Sequence, residues 1–169
     1  MANTMKNIRI EKVTLNIGAG KSPEKLEKGI KLMAQISGKK PIKTITNKRI
    51  PTWGLRPKLP IGCKVTLRKK YAVEMLKRLV DGVDKQLKKS QFDNEGNVSF
   101  GIREYINVPG AKYDPEIGIM GFQTCITLER SGFRIKKRKL CKKRLPKQHK
   151  ISQAEAMEFM EKNYGVKIN

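Results

Sequence analysis

The segment Ile17-Gly-Ala-Gly-Lys-Ser22 contains residue types that could bind the phosphates of a nucleotide. Gly-Lys-Ser ends a P-loop, in which the lysine and the hydroxyl contact phosphate oxygens. A P-loop also requires an earlier glycine, and Leu15 occupies its position here. Ser22 followed by Pro23 is typical of a helix N-terminus. The pattern therefore favours a structural turn between a strand and a helix, whose exposed N-terminus could still meet a phosphate of a polymer.

Excess positive charge is confined to two segments of the chain. Lys28–Val73 contains thirteen Lys or Arg and no acid, and Arg134–Lys150 contains ten in seventeen residues, again with no acid. Everything else balances, fifteen basic residues against fifteen acidic ones, so the net charge of +23 is the sum of two local fields. A surface that binds a polyanion needs such a local field of one sign.

The Arg134–Lys150 segment, called the basic arm below, has three possible roles: a solvated charged face, a membrane-surface patch or a nucleic-acid-binding arm. Only Ile135, Leu140 and Leu145 accompany its cations as bulky apolar residues, which disfavours a membrane. Structured RNA is favoured over DNA, since no helix-turn-helix or zinc finger is visible. We expect the arm to fold on its partner. Its candidate RNA-binding residues are Arg134, Lys136, Lys137, Arg138, Lys139, Lys142, Lys143 and Arg144.

Side chains suited to catalysis are scarce. His149 is the only histidine, and its lysine neighbours predict a solvated or RNA-facing side chain. Cys63 lies beside Lys64, which could lower the pKa of the thiol, but a strand cysteine without a partner base is typical of a small apolar filler. No Cys/His group has the spacing of metal ligands. The sequence therefore predicts a protein that is not an enzyme, with no metal, no cofactor and no small-molecule substrate.

The cysteine count and the apolar pattern indicate the compartment. Cys63, Cys125 and Cys141 are odd in number and not closely paired, which favours a reducing cytosol. No apolar run is long enough to span a bilayer, and the N-terminus lacks a signal-peptide pattern. We expect a soluble intracellular protein.

Hydrophobic periodicity predicts an α+β fold: a single, mostly antiparallel sheet with helices packed on one face and the other face free. The predicted strands are 8–17, with a bulge near Glu11, 41–46, 61–68, 98–108 and 121–129. The predicted helices start at Ser22 and stop at Gly38, run from Tyr71 to Lys88, and start at Ser152 and stop at Gly165. We expect residues 1–133 to form the sheet domain and residues 134–169 the basic arm and a terminal helix. The free sheet face, rich in Lys, Arg, Thr and Asn, could receive RNA.

The predicted connection from Asn47 to Pro60 is a long loop inside a compact domain, and such loops usually have a function. It combines prolines and a glycine with cations and one tryptophan, a mixture suited to holding phosphates while a ring stacks. The alternative is that Trp53 folds into the core. The candidate contact residues are Lys48, Arg49, Trp53, Arg56 and Lys58.

Four stretches of the sequence together resemble one family. They are Leu15-Asn-Ile-Gly-Ala-Gly20, Ile36-Ser-Gly-Lys-Lys-Pro41, Pro60-Ile-Gly-Cys-Lys-Val-Thr-Leu-Arg68 and Phe92-Asp-Asn-Glu-Gly-Asn-Val-Ser-Phe-Gly-Ile-Arg-Glu104. The chain is similar to the uL5 family of large ribosomal subunit proteins, which bind 5S rRNA in the central protuberance. The similarity runs in order from about Val13 to Leu128. The loop, the arm and the short tail resemble the archaeal form, whose eukaryotic counterpart is called L11.

This resemblance implies a structural constituent of the large subunit that acts in translation in the cytoplasm. Implied partners are 5S rRNA, large-subunit rRNA, peptidyl-site tRNA through the 47–60 loop, neighbouring central-protuberance proteins and a small-subunit protein across the intersubunit bridge. The loop departs from the bacterial one, which lacks the Trp-Gly-Leu-Arg-Pro run. The residues implied to face 5S rRNA are Asn16, Lys39, Lys40, Thr66 and Arg68. Those implied to contact tRNA are Lys48, Arg49, Trp53, Arg56 and Lys58.

Overall fold

The computed structural model describes residues 3–169. The strands are β1 Ile8–Gly18, β2 Ile42–Ile45, β3 Pro60–Leu67, β4 Gln86–Leu87, β5 Val98–Ile102, β6 Phe122–Arg130 and β7 Lys167–Ile168. The α-helices are α1 Pro23–Ser37, α2 Lys70–Asp81, α3 Arg134–Lys137 and α4 Gln153–Tyr164. The predicted α+β class is confirmed.

Five strands form one antiparallel sheet in the order β2-β3-β1-β6-β5. Alternate residues of β1 and β3, such as Leu15 and Val65, are buried, whereas their neighbours face the opposite side. This period of two is the pattern of a sheet with one covered face. The predicted bulge is confirmed by a register shift between Ile10 and Lys12 in the pairing of β1 with β6.

Helix α1 has the predicted ends. The Ser22 side chain accepts a hydrogen bond from the Lys25 amide, Pro23 is the first helical residue, and Gly38 ends the helix at a φ of 62°. Gly29 packs the helix closely on β1 and β3, because a Cβ there would lie 3.3 Å from Cys63 Sγ and from an Ile17 methyl. Cys63 is fully buried, as expected of an apolar filler, and burial raises the pKa of its thiol.

Two predicted elements are too long. Helix α2 ends at Asp81 rather than Lys88, because Asp84 and Lys85 adopt left-handed φ values of 52° and 57°. Leu87, which has the spacing of the helical stripe, is instead buried in strand β4, which pairs in parallel with β7. Strand β5 ends at Ile102 rather than Val108, and Tyr105, which is buried, begins a short 3₁₀ turn.

One continuous core lies between the sheet and the helices. It joins β1, β3, β5 and β6 to α1, α2 and α4, and the terminal helix contributes the fully buried Ala156 and Met160. The helices therefore leave one sheet face uncovered, and this is called the free face below. Among residues 3–169, no helix has the length and apolar character needed to cross a membrane.

Substituting Gly121 is expected to destabilise the sheet. A Cβ at Gly121 would lie 2.5 Å from the carbonyl oxygen of Arg103 and 2.7 Å from that of Ile102, and backbone atoms cannot move aside easily. We expect Gly121→Ala to lower the free energy of unfolding by about 1–3 kcal/mol, measured by urea denaturation. Gly101→Ala is the matched control, because a Cβ there meets nothing within 4 Å. Equal effects of the two substitutions would contradict the close approach.

Candidate nucleic-acid interface

The free face presents two rows of polar or small residues that cross the sheet. Strand register aligns Lys64, Asn16, Gln123 and Gly101 in one row, and Thr66, Thr14, Cys125 and Ser99 in the next. Within the described chain, neither row contains an acid. The two rows offer hydroxyl and amide groups and one ammonium group, which suits hydrogen bonding to RNA and avoids repulsion of its phosphates.

Two of the predicted RNA-facing residues, Asn16 and Thr66, lie in these rows. The Asn16 amide nitrogen is 3.4 Å from Gln123 Oε1 on the adjacent strand. Sequence reasoning missed Gln123, although Phe122 and Thr124 on either side of it are buried and the alternation points it outward. A groove of about 550 Å³ runs beside this pair, with Gly18, Gly101 and Arg103 in its lining. Gly18 and Gly101 have open space where a Cβ would lie, so a ligand backbone can come close to the sheet.

Lys39 and Lys40 are exposed in the turn between α1 and β2, at one edge of the sheet. Gly38 starts this turn, and the Lys39 amide donates a hydrogen bond to Ser37 Oγ. The Lys39 ammonium lies 4.2 Å from the centroid of the Tyr71 ring, a cation–π geometry that orients the side chain. Neither lysine has a carboxylate within salt-bridge distance in residues 3–169. Both cations are therefore available to a phosphate.

The loop between β2 and β3 is ordered by its own backbone hydrogen bonds. Its base is closed by Thr46, whose amide donates to the Leu59 carbonyl and whose carbonyl accepts from the Lys58 amide. Near its tip, Ile50 and Leu55 exchange two hydrogen bonds of 3.0 Å. The predicted contact residues Lys48, Arg49, Trp53, Arg56 and Lys58 are all exposed. The loop thus presents cations and an aromatic ring together at one end of the sheet.

Trp53 is 66% exposed at the loop tip, so the alternative that it folds into the core is wrong. We expect Trp53→Ala to change the free energy of unfolding by less than about 0.5 kcal/mol, measured by urea denaturation, because the ring buries little surface. Leu55→Ala in the same loop is the matched control. Leu55 is only 8% exposed, and its truncation should cost about 2 kcal/mol or more. A large loss of stability in Trp53→Ala would contradict the exposed position.

The basic arm follows β6 and lies at the opposite end of the sheet from the loop. Its first residues form the short helix α3, and Arg138 Nε donates to the Cys141 carbonyl. His149 is not the solvated or RNA-facing side chain that the sequence predicts. It is half-buried, its Nε2 is 2.8 Å from the Ser131 carbonyl, and its ring meets that of Phe133 edge-on at a centroid distance of 5.7 Å. His149 therefore ties the end of the arm to its start.

Three glutamates of the sheet region hold the arm against the body. Lys137 Nζ is 2.7 Å from Glu11 and 3.1 Å from Glu129. Glu95 lies 3.0 Å from Lys150 and 3.6 Å from Lys136. The expectation that the arm orders only on a partner thus differs from the structure, in which the arm is folded back on the chain. Counting charge along the sequence missed the contacts with Glu11 and Glu95 because these two acids lie far from the arm along the chain.

Some candidate residues are already engaged in ion pairs. Arg68, predicted to face 5S rRNA, pairs with Glu11 at 3.3 Å, and Lys136 and Lys137 of the arm are paired as described above. Burial raises the pKa of Glu11, but hydrogen bonds and charge from Lys137, together with Arg68, outweigh it and hold the pKa below the ordinary glutamate value. The other predicted arm residues, Arg134, Arg138, Lys139, Lys142, Lys143 and Arg144, have no carboxylate within 4.0 Å in the described chain.

Comparison with known proteins identifies the family. Residues 60–162 match the C-terminal region of the ribosomal L5 family, and residues 3–56 match ribosomal protein L5. The large ribosomal subunit protein uL5 of Sulfolobus acidocaldarius is 47% identical over 98% of this chain and 93% of its own length. The uL5 proteins of Methanosphaera stadtmanae and Nanoarchaeum equitans are 45% and 44% identical, over 98% and 99% of this chain and 99% of their own lengths. The chain belongs to the ribosomal protein L5 family.

Membership in the L5 family settles the general class. Its members are ribosomal proteins and not enzymes, which confirms that expectation for this chain. The P-loop-like segment fits a structural role, because Ser22 caps α1 and Leu15 is fully buried. Lys21 of this segment reaches so close to Gly54 that a Cβ there would collide with its ammonium, so Lys21 adds a cation beside the loop. Among residues 3–169, no three His, Cys, Asp or Glu side chains are grouped to hold a metal ion.

Proposed function

We propose that this chain, a structural constituent of the large ribosomal subunit, binds 5S rRNA across its free face and helps to form the central protuberance. Its relatives are large ribosomal subunit proteins, and its place is on the cytoplasmic ribosome. The observation that carries the proposal is the free face itself. Two acid-free polar rows lie between the cationic loop at one end of the sheet and the basic arm at the other.

The geometry favours many weak contacts to phosphate groups, together with a few hydrogen bonds that recognise the shape of the RNA. Lysines at the sheet edge and in the arm would neutralise phosphates and set the register of the RNA on the protein. Asn16, Gln123 and Thr66 would donate and accept hydrogen bonds with riboses and exposed base edges. From Glu11 to Gly18 the face spans about 23 Å at 3.3 Å per residue. A surface of this length reaches several nucleotides, which suits a folded RNA better than a mononucleotide.

The loop supports a second contact, to peptidyl-site tRNA. Its exposed residues Lys48, Arg49, Trp53, Arg56 and Lys58 project from the end of the sheet away from the arm. An exposed tryptophan among cations can stack on a base or a ribose while the cations hold the backbone. In this proposal the arm meets large-subunit rRNA, and the remaining surface meets central-protuberance proteins and a small-subunit protein across the intersubunit bridge.

The proposal is tested by binding of the purified full chain to 5S rRNA and to an unrelated structured RNA of equal length, at near-physiological salt. We expect the affinity for 5S rRNA to be much higher than that for the unrelated RNA, as is typical of a specific RNA-binding protein. Equal binding to both RNAs would overturn the 5S assignment and favour an RNA chaperone without a fixed site. Trp53→Ala, which should keep the fold, is expected to leave 5S affinity intact and to impair tRNA-dependent steps on assembled ribosomes.

A further inference from the structure

A cleft of about 1260 Å³ lies between the basic arm and the end of the free face. Its sheet wall includes Lys12 and Thr127, which are register partners on β1 and β6. Its arm wall includes Lys142, Lys143 and Arg144. Cations thus line the cleft on both walls, alongside several apolar side chains. The volume exceeds the roughly 300–1,000 Å³ of ordinary small-molecule pockets, so a segment of polymer suits it better.

Two acids also line this cleft, and a third lies beside it. Glu95 pairs with Lys150 at 3.0 Å and Lys136 at 3.6 Å, and Glu11 pairs with Lys137 at 2.7 Å. Glu129 pairs with the same lysine at 3.1 Å. These carboxylates therefore lie where a negative group can contact the arm and the sheet region at the same time. In residues 3–169, the arm lysines are paired with no other carboxylates.

The two ion pairs of Glu95 are solvent-exposed and therefore easily exchanged. The hydrogen bond from Lys150, followed by the charge of Lys136, lowers the pKa of Glu95. The Glu95 side chain is 48% exposed and its partners are similarly exposed, so water screens both pairs. A polyanion brings several charges at once and releases its own counterions on binding. It can therefore replace single carboxylates at these lysines.

We infer that the cleft binds the phosphodiester backbone of an RNA strand, and that Glu95 holds the arm in place until phosphates displace it from Lys136 and Lys150. This inference rests on the proposed function, because it takes the bound polymer to be RNA. The new element is that Glu95 competes with the RNA for these two lysines. The arm is then preorganised by internal anions, which lowers the entropy lost when RNA binds, at the expense of part of the affinity.

If Glu95 only supported the arm, its replacement would weaken RNA binding. If Glu95 competes with RNA, its replacement should strengthen RNA binding. Glu95→Gln removes the competitor for Lys136 and Lys150, and we expect it to strengthen binding of the full chain to 5S rRNA by about twofold to tenfold. Glu158→Gln is the matched control. It makes the same change of charge on the exposed surface of α4, where Glu158 pairs with Lys162. Its effect should be less than about twofold, because salt screens charges outside the cleft.

Affinity is measured by filter binding at one fixed salt concentration, and hydrogen exchange of residues 134–150 is followed in the free protein. Faster exchange in free Glu95→Gln with tighter RNA binding is the expected result. Weaker binding, or equal effects of Glu95→Gln and Glu158→Gln, would overturn the inference. The comparison is between variants on one RNA, so it is independent of whether the wild type prefers 5S rRNA. Failure of the 5S assignment and failure of the displacement step are thus distinguishable.

Discussion

Raising the salt concentration from 50 to 200 mM is expected to weaken binding to 5S rRNA by about 10³- to 10⁵-fold. This range follows if roughly six to ten phosphates are neutralised, since each releases condensed counterions. The net charge of +23 is concentrated in two segments, and the structure places them at the two ends and one edge of the free face. Filter binding across a salt series gives the slope of log affinity against log salt. A slope near zero would show that charge neutralisation contributes little.

Two pairs of consecutive lysines allow the contribution of individual cations to this slope to be measured. Replacing Lys39 and Lys40 together with Ala should make the slope shallower by about 1–2, because each lost phosphate contact removes a little less than one counterion. Replacing Lys88 and Lys89, which are exposed outside both basic segments, is the matched control. The control should lower affinity slightly and leave the slope nearly unchanged. An unchanged slope in the first variant would remove Lys39 and Lys40 from the interface.

Much of the fold follows from signals that lie close together in the sequence. The ends of α1 are set by Ser22, Pro23 and Gly38, whose effects reach only a few residues along the backbone. The capping box of Ser152 with Glu155 marks α4 in the same way. The bulge in β1 is visible as a change of phase in the alternation. Local chemistry decides such features before any tertiary contact forms.

The missed features depend on contacts between distant parts of the chain. Leu87 has helical spacing from Val83, and only its pairing with Ile168 far along the chain makes it a strand residue. Likewise, counting charge along the sequence describes the arm as a run of cations without acidic partners. Folding brings Glu11 and Glu95 against arm lysines that lie more than forty residues away along the chain. A linear charge count cannot show that part of the arm is neutralised within the molecule.

Loss of the Glu155 carboxylate is expected to destabilise the fold strongly. Arg130 at the end of β6 has a side chain only 5% exposed, and its Nη2 is 2.6 Å from Glu155 Oε1. Its Nη1 donates to the Lys150 carbonyl, and its buried Nε has no hydrogen-bond partner within the described chain. Without Glu155, the buried guanidinium of Arg130 keeps its charge but loses its counter-ion, and only the Lys150 carbonyl remains as a hydrogen-bond acceptor. We expect Glu155→Ala to lower the free energy of unfolding by about 3 kcal/mol, at the lower end for a broken buried pair because Glu155 itself is 41% exposed.

Part of this effect belongs to the helix cap rather than to the ion pair. Glu155 Oε2 accepts a hydrogen bond from the Ser152 amide, so the alanine variant also loses one arm of the capping box. Glu155→Gln separates the two contributions, since a glutamine can still accept from that amide but carries no charge. Urea denaturation gives the free energy of unfolding of each variant.

Glu158→Ala provides the scale for an exposed pair on the same helix. Glu158 pairs with Lys162 one turn later, and removing it should cost no more than about 0.5 kcal/mol. Losses of similar size for Glu155→Ala and Glu158→Ala would mean that Arg130 finds another anion or water when its partner is removed. A much larger loss for Glu155 means that one ion pair fastens β6 to α4 and, through the Lys150 carbonyl, fixes the end of the basic arm. The position of the arm's cations then depends on this buried pair.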